Sequence, residues 1–417
     1  MARASCMSRP TTYRYPSQPI ETNPCRSWSF ACMPIPVRLG DNSHSLKNAR
    51  GQQGIDIMAR TTPLISVVTP FYNTAPYLAE CIESVLAQSY SEFEYILMDN
   101  CSTDGSSEIA ETYARSDPRI RLIRSTQFVE QLPNYNRALA QISNDSRYSK
   151  VVEADNHILP ECLHLMMQAF ERSESIGLVC SYWLMGNLLC GSGYPYPTPM
   201  MPGREWVKRV LLGSVHVFGS PTQVMYRSSI VRGQKPFYNE RVLHADTEKC
   251  YEILQHWDLG FVHQVLSFSR TDNESISSAG SELQDGALDR YIARRRYAPI
   301  FLEASVAASV MRKEKRIYYR SLARRALLLR GGRSALWRYH KVGLKTINET
   351  FDWLYLLLMM SRELLWLGSN PGMTAVRALQ YWRRGPIFRK CNPRSEVIVV
   401  DEASPACGSN PRGPAGA

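Results

Sequence analysis

Several features are missing from this sequence. Its 11 cysteines are an odd number scattered from Cys6 to Cys407 and include no Cys-x-x-Cys pair. That excludes a zinc knuckle and a disulfide framework, and makes a reducing, cytoplasmic setting the expectation. No run approaches the roughly 18 consecutive apolar residues of a spanning helix. The nearest, Trp353 to Met360, is bracketed by Asp352 and Arg362. No Gly-x-Gly-x-x-Gly follows the first β-branched run and no Gly-Lys-Ser/Thr loop occurs anywhere, which disfavours a dinucleotide fold and a P-loop. The first residues lack the apolar stretch of a secretory signal, being interrupted by Arg3, Arg9 and Arg14.

What remains is an ordinary globular composition over 417 residues, 44% hydrophobic and 21% charged, enough for a catalytic-sized core. The charge is uneven. Residues 311–390 hold 18 Lys+Arg against four acids, +14 in a chain whose total is +11. Such a segment suits a solvated helical face, an anionic membrane surface or, less well, a nucleic acid. Apolar stripes and the lack of a recognised nucleic-acid motif make nucleic acid the weakest of these partners.

Residues 1–60 show neither helical nor strand periodicity and are expected to be disordered, as is the Ser-, Pro- and Gly-rich tail 392–417. Met58 stands six residues before the first clean strand and is read as the natural start. Between the ends, apolar strands alternate with amphipathic helices: strands near 64–69, 93–98, 120–123, 150–152, 176–181, 223–226 and 260–267, and helices opening near Pro76, Asp104, Pro133, Pro160, Arg204 and Asp246. The alternation predicts an α/β domain over 61–285 with a mostly parallel sheet covered on both faces. Helices follow over a basic region, 286–391: 294–310, 318–330, 334–347, 351–367 and 374–382. The loop 186–203 reads as a binding loop or lid.

In an open α/β sheet, ligands bind beyond the carboxyl ends of the strands. Three groups fall there: Pro70 to Asn73, Asp99 to Gly105, and Glu153-Ala154-Asp155-Asn156. These ends carry carboxylates instead of glycines, suited to a base or ribose hydroxyl and to a divalent cation on a diphosphate.

Over about residues 64–275 these motifs, in order, resemble family 2 glycosyltransferases of the GT-A fold. The likeness rests on Ser66-Val67-Val68-Thr69-Pro70-x-Tyr72-Asn73, on Leu78-x-x-Cys81-Ile82-x-Ser84-Val85-x-x-Gln88, and on Asp99-x-x-Ser102-Thr103-Asp104-Gly105. It continues through Asn136-Arg137-Ala138, Glu153 to Asn156, Ala245-Asp246-Thr247-Glu248 and Ser269-Arg270. The resemblance implies that Pro70, Tyr72 and Asn73 border a nucleotide base and that Asp99 accepts from it. Asp104 and Asn136 would join the nucleotide-sugar site, with Glu153 near the ribose or sugar. Asp155 would ligate Mn²⁺ or Mg²⁺, and Asp246 would be the general base of an inverting transfer. A UDP-sugar is the implied donor, and a glycan or lipid-linked hydroxyl the implied acceptor. Three positions depart from the family pattern: Glu153 stands for Asp, Asn156 for an acid and Ala245 for Glu. They leave a catalytically silent nucleotide-sugar binding or assembly protein as the alternative.

Other readings stay open residue by residue. Asp104 and Asp246 are good helix caps, and Asp155 a turn carboxylate. Tyr72 is also read as a core-edge aromatic, and His157, His216 and His244 as surface or core histidines. Trp353, Leu354, Leu357, Leu358, Leu364 and Leu365 are read first as a packing stripe and second as a peripheral membrane foot.

Overall fold

Ile65–Phe71 (β1) is buried at every position, as expected of a β-branched run in a parallel strand covered on both faces. The structure, a computed structural model, describes residues 63–213, 217–240, 245–270, 285–328 and 333–372. The expectations for His216, His244, both chain ends and the helix at 374–382 lie outside them.

Helix α1 (Ala75–Leu86) starts with Pro76 in its first turn and turns Leu78, Cys81, Ile82 and Val85 inward. There follow β2 (Phe93–Asp99), α2 (Ser106–Ser116), β3 (Ile120–Arg124), α3 (Gln131–Leu139), β4 (Tyr148–Val151), β5 (His157–Ile158), α4 (Cys162–Phe170) and β6 (Ile176–Met185). Gln88 is buried beyond α1, donating to the Leu159 carbonyl (2.8 Å) and accepting from Leu163 N (3.0 Å), so it ties α1 to the start of α4. The 186–203 loop contains two short strands, β7 (Leu188–Cys190) and β8 (Met200–Met201). The domain continues with α5 (Gly203–Leu212), β9 (Val224–Arg227), α6 (Ser228–Gly233), α7 (Ala245–Ile253) and β10 (Asp258–Ser269).

The strand order is β3-β2-β1-β4-β9-β6-β10-β5, with β7 on β6 and β8 on β10. The long pairings β1–β2, β1–β4, β2–β3 and β6–β10 are parallel. Strand β9 runs antiparallel to both neighbours, β4 and β6. The short β5, β7 and β8 also pair antiparallel, but it is the reversal of β9 that brings the residues entering it to the edge where β1, β2, β4 and β10 end.

Beyond β10 the described chain is helical: α8 (Asp285–Phe301), α9 (Ala304–Leu328), α10 (Arg333–Lys345) and α11 (Trp353–Ser369). The sequence pattern put a break between Val310 and Tyr318. Instead the basic run there is helical and the bend falls at residues 302–303. Glu314, inside that run, is buried against Arg290 (2.5 Å) and Arg294 (3.3 Å) of α8, which gives the run an inward face. The packing reading of the apolar residues on α11 is also corrected for its leucines, whereas Trp353 meets Phe351 and Trp337 with ring centroids 4.6 and 5.5 Å apart. Asp352 caps the helix, accepting from Tyr355 N (2.9 Å), and Leu356, Met359 and Glu363 face inward. Trp353, Leu354, Leu357, Leu358, Leu364 and Leu365 are exposed. No helix among the described residues is long and apolar enough to cross a membrane.

Candidate active site

The chain leaves β1 through Tyr72 and Asn73 and leaves β2 through Asp99 to Gly105, and the two turns are sewn together. Asn73 has a left-handed backbone (φ 50°), which an Asn tolerates. Its Oδ1 accepts from Thr103 N (2.8 Å), and its own N–H donates to Ser102 Oγ (3.1 Å). Asp99, buried, accepts from Ser102 N (2.9 Å). Asp104 accepts from Ala75 N (2.9 Å) through Oδ2, and from Ser106 N (3.0 Å) and Ser106 Oγ (2.6 Å) through Oδ1. Burial pushes its carboxyl up, but these donors outweigh that and hold it below the usual range. Both Asp104 oxygens thus serve to join the starts of α1 and α2.

Pro70 lies inside β1 and is buried, not in the turn where punctuation was expected. Tyr72 is exposed and meets Phe128 with ring centroids 4.7 Å apart. Phe128 arrives because Asn100, buried at the end of β2, grips the next loop. Asn100 Nδ2 donates to the Val129 carbonyl (2.6 Å) and its Oδ1 accepts from Val129 N (3.0 Å). An exposed aromatic pair on the turns after β1 and β3, with a buried carboxylate at the end of β2 between them in the sheet, suits the face and edge of a nucleotide base. Asn136 is fully engaged elsewhere: it clamps α3 to the 234–240 segment through Tyr238 N (2.7 Å), the Tyr238 carbonyl (2.9 Å) and Glu240 Oε1 (2.9 Å).

The third group follows β4. Glu153 Oε2 accepts from Thr222 Oγ1 (3.0 Å), Asn156 Nδ2 (2.9 Å) and Ser220 Oγ, and Oε1 accepts from Tyr135 OH (3.3 Å). Burial foremost, then the charge of Asp155, push the Glu153 carboxyl up to about 7 against the pull of Ser220 and Thr222, and the charge of Asp246 adds to the rise. Glu153 therefore feels the charges of both Asp155 and Asp246, and the three carboxylates border one candidate cleft. Asp155 and Asp246 are both half-buried. Asp246 occupies the first turn of α7, where its Oδ1 accepts from Thr247 N (2.7 Å).

The clamp on Glu153 depends on a residue that sequence reasoning passed over. Lys150, fully buried in β4, donates to the Thr222 carbonyl (2.6 Å). Burial pushes its amine down from the ordinary lysine value. A lysine inside a short apolar strand is the signal that was there to find, since a buried cation needs a partner. On the other edge of the cleft, Arg270 N donates to Asn156 Oδ1 (3.3 Å), and the Arg270 guanidinium pairs with Glu80 and stacks over Tyr77 at 5.0 Å. His157 stacks on Phe268 at 4.7 Å and faces Glu80 (3.1 Å), a packed role. Glu248, two residues beyond Asp246, is buried and held by Arg296 of α8 at 2.9 and 2.7 Å.

Among the described residues no group of three or more His, Cys, Asp or Glu is arranged to hold a metal ion. Glu153 is occupied by Thr222, Asn156, Ser220 and Tyr135. A single carboxylate suits Mg²⁺ or Mn²⁺ delivered with a diphosphate, since these ions are commonly held by one or two carboxylates plus phosphate oxygens and water.

Residues 66–231 match the family described as glycosyl transferase family 2. Glycosyltransferase GlyG of Streptococcus pneumoniae serotype 4 is 31% identical over 122 residues, 29% of this chain and 39% of that protein. Chondroitin synthase of Escherichia coli is 26% identical over 149 residues, 33% of this chain and 20% of that one. The chain thus spans well under half the length of either relative. In three dimensions it is similar to the crystal structure of S. aureus TarS 1-349 in complex with UDP-GlcNAc, with a TM-score of 0.51 and 17% identity, covering 68% of this chain and 81% of that one. That likeness gives the GT-A-like fold.

Proposed function

Because this chain belongs, through residues 66–231, to glycosyl transferase family 2, we propose that it moves a sugar from a nucleoside-diphosphate sugar to an acceptor hydroxyl with inversion. The observation that carries the reading is that Glu153, which feels the charges of Asp155 and Asp246, follows β4 at the edge where the parallel β1 and β2 lead into exposed Tyr72, paired with Phe128, and buried Asp99.

The division of labour follows from what each residue is already doing. Tyr72 and Phe128 offer ring faces to a base, and Asp99 an acceptor at its edge. Glu153, gripped by Ser220, Thr222 and Asn156, orients the turn that carries Asp155. Asp155 would hold a divalent cation brought by the diphosphate; such a cation, when bound, neutralises the charge that builds on the leaving group. Asp246 takes the proton from the attacking hydroxyl, as a carboxylate set apart from the donor phosphates should. Glu248 is a poor substitute as base because Arg296 holds it. A UDP-sugar as donor and a glycan or lipid-linked hydroxyl as acceptor complete the proposal.

The test is nucleoside diphosphate release from a panel of nucleotide sugars with Mn²⁺ or Mg²⁺, in wild type and two variants. Asp246→Asn should keep donor affinity and lose roughly 10²- to 10⁴-fold in transfer, the usual worth of a general base. Asp155→Asn should instead weaken metal-dependent donor binding. Equal loss of donor binding in both variants would remove Asp246 from the role of base. Donor binding without turnover by the wild type would favour the silent-binder reading, which the departures at Glu153, Asn156 and Ala245 motivate.

A further inference from the structure

Helix α11 carries a face that the donor cleft does not use. Trp353, Leu354, Leu357, Leu358, Leu364 and Leu365 are 43%, 81%, 57%, 50%, 54% and 74% exposed. Pairs at 353/354, 357/358 and 364/365 recur at four- and seven-residue steps, so they fall on one side of the helix, opposite Leu356, Met359 and Glu363. Scattered exposed leucines need no explanation, whereas a contiguous strip along a helix of 17 residues, about 26 Å long, marks an interaction surface.

The charges around the strip select its occupant. From Ala304 to Gly372 the described residues include 12 Lys+Arg and four acids. Every one of those acids is engaged: Glu314 with Arg290 and Arg294, Glu349 with Arg295, Asp352 with Lys315, and Glu363 with Arg320 and Arg324. Arg312, Lys313, Arg316, Arg338, Lys341 and Lys345 are exposed. The Lys341 amine lies 5.0 Å from the Trp353 ring centroid, at one end of the strip. Arg362 is exposed on α11 itself, four residues after Leu358 and three before Leu365. At the Trp353 end, Arg295, Arg312 and Lys315 line a cavity of about 770 Å³ together with Trp353 and Leu354.

A second copy of this chain seated on the strip would bring like charges together. Residues 373–394, which follow α11 directly, have six Arg+Lys and no acid and are no better matched; the acids Glu396, Asp401 and Glu402 come only after them, in a tail that is the competing occupant in the test below. A surface that is apolar beneath and anionic at its edge satisfies both the leucines and the cations. We infer that this face docks on an anionic lipid bilayer, α11 lying flat with Trp353 and the leucines at the acyl boundary and the basic residues among the phosphates. The inference goes beyond the proposed transfer reaction and does not depend on it.

The test is flotation of the full chain with vesicles of phosphatidylcholine alone or mixed with phosphatidylglycerol. Wild type should float with the mixed vesicles at low salt and be released as ionic strength rises, because the phosphate contacts are screened. Leu354→Glu/Leu357→Glu/Leu365→Glu should reduce the floated fraction by about tenfold or more, since it puts charge where the acyl boundary would be. Arg312→Glu/Lys341→Glu/Arg362→Glu should reduce it on mixed vesicles only. Circular dichroism melting confirms folding, and Leu357→Ser/Leu365→Ser replaces the first variant should that one not fold. Retention of the leucine variants at the wild-type level would overturn the inference, as would equal wild-type binding to neutral vesicles. Absence of wild-type flotation would overturn it too: light scattering would then assign the strip to a second copy if the chain is dimeric, and to the chain's own residues 373–417 if it is monomeric.

Discussion

The most loaded single residue is Glu153. Its carboxyl, pushed up from 4.5 to about 7, keeps its proton in the folded chain at a pH where the unfolded chain has already released it. Between about 4.5 and 7 the unfolded state therefore binds fewer protons than the folded one, and stability falls as pH rises through that window. Below it the burden is absent; above it the burden is complete. Glu153→Gln, neutral throughout, should match wild type near pH 4 and exceed it at pH 8 by between about 1 and 3 kcal/mol. Urea unfolding of both proteins in chelator, at several pH values, reads this directly. A gap that does not change with pH would mean that Glu153 is ionised in the cleft at neutrality and that its neighbours do more than offset its burial. Asp104 sits at the opposite extreme. Its carboxyl is exposed and held low by donors, and it serves as a knot between two loops.

At the level of elements, an ion pair links the helix of Asp246 to the C-terminal helices. Arg296 of α8 reaches Glu248, whose side chain is 7% exposed, in the same short helix that presents Asp246. Arg296→Ala would leave a buried carboxylate unpaired, at a loss of about 3 kcal/mol by analogy with other half-removed buried pairs. Adding Glu248→Gln should restore part of it, because the uncompensated charge goes with the carboxylate. Chemical denaturation of the single and double variants measures both steps; a double variant no more stable than Arg296→Ala would show that packing, not charge, is what Arg296 supplies. This connection was not legible in the sequence, since Glu248 and Arg296 are 48 residues apart and only the docking of α8 joins them. What was legible is local. β1, α1 and β2 followed from β-branched runs, a Pro at the helix start and a turn rich in Asn, Ser and Asp. The positions of Asp99 at the end of β2 and of Asp155 just after β4 followed from the strand pattern. The cage around Glu153 was hidden because it depends on the direction of β9: only an antiparallel β9 delivers Ser220 and Thr222 to the end of β4. The helix break expected after Val310 failed for a related reason, since Glu314 finds its partners on a separate helix.

On the scale of the molecule, the apolar core does not stop at the end of β10. Tyr297, Ala298, Phe301 and Leu302 of α8 and the turn after it, and Ala307 of α9, belong to the same buried cluster as Val68 of β1, Trp206 of α5 and Tyr251 of α7. Polar contacts run alongside: Arg294 donates to the Gly213 carbonyl (3.1 Å) and Arg204 to the Ile300 carbonyl (2.7 Å). Fully burying a large apolar side chain stabilises by about 1.5 to 3 kcal/mol. Removing Tyr297, Phe301 and Leu302 together would therefore withdraw about as much free energy as a domain's whole margin of roughly 5 to 15 kcal/mol. A chain ended at residue 284 should be insoluble or molten, although every residue proposed to touch donor or acceptor is still in it. The full chain should unfold in one transition, with tryptophan fluorescence, which samples both Trp206 near the sheet and Trp337 and Trp353 in the helices, coinciding with far-ultraviolet circular dichroism. Two resolved transitions, or a soluble truncated chain that still releases nucleoside diphosphate, would mean that α8 to α11 are an appendage to a self-sufficient domain. Coincident transitions would make the helices part of the catalytic body, so that whatever surface α11 rests on also fixes where the donor cleft faces.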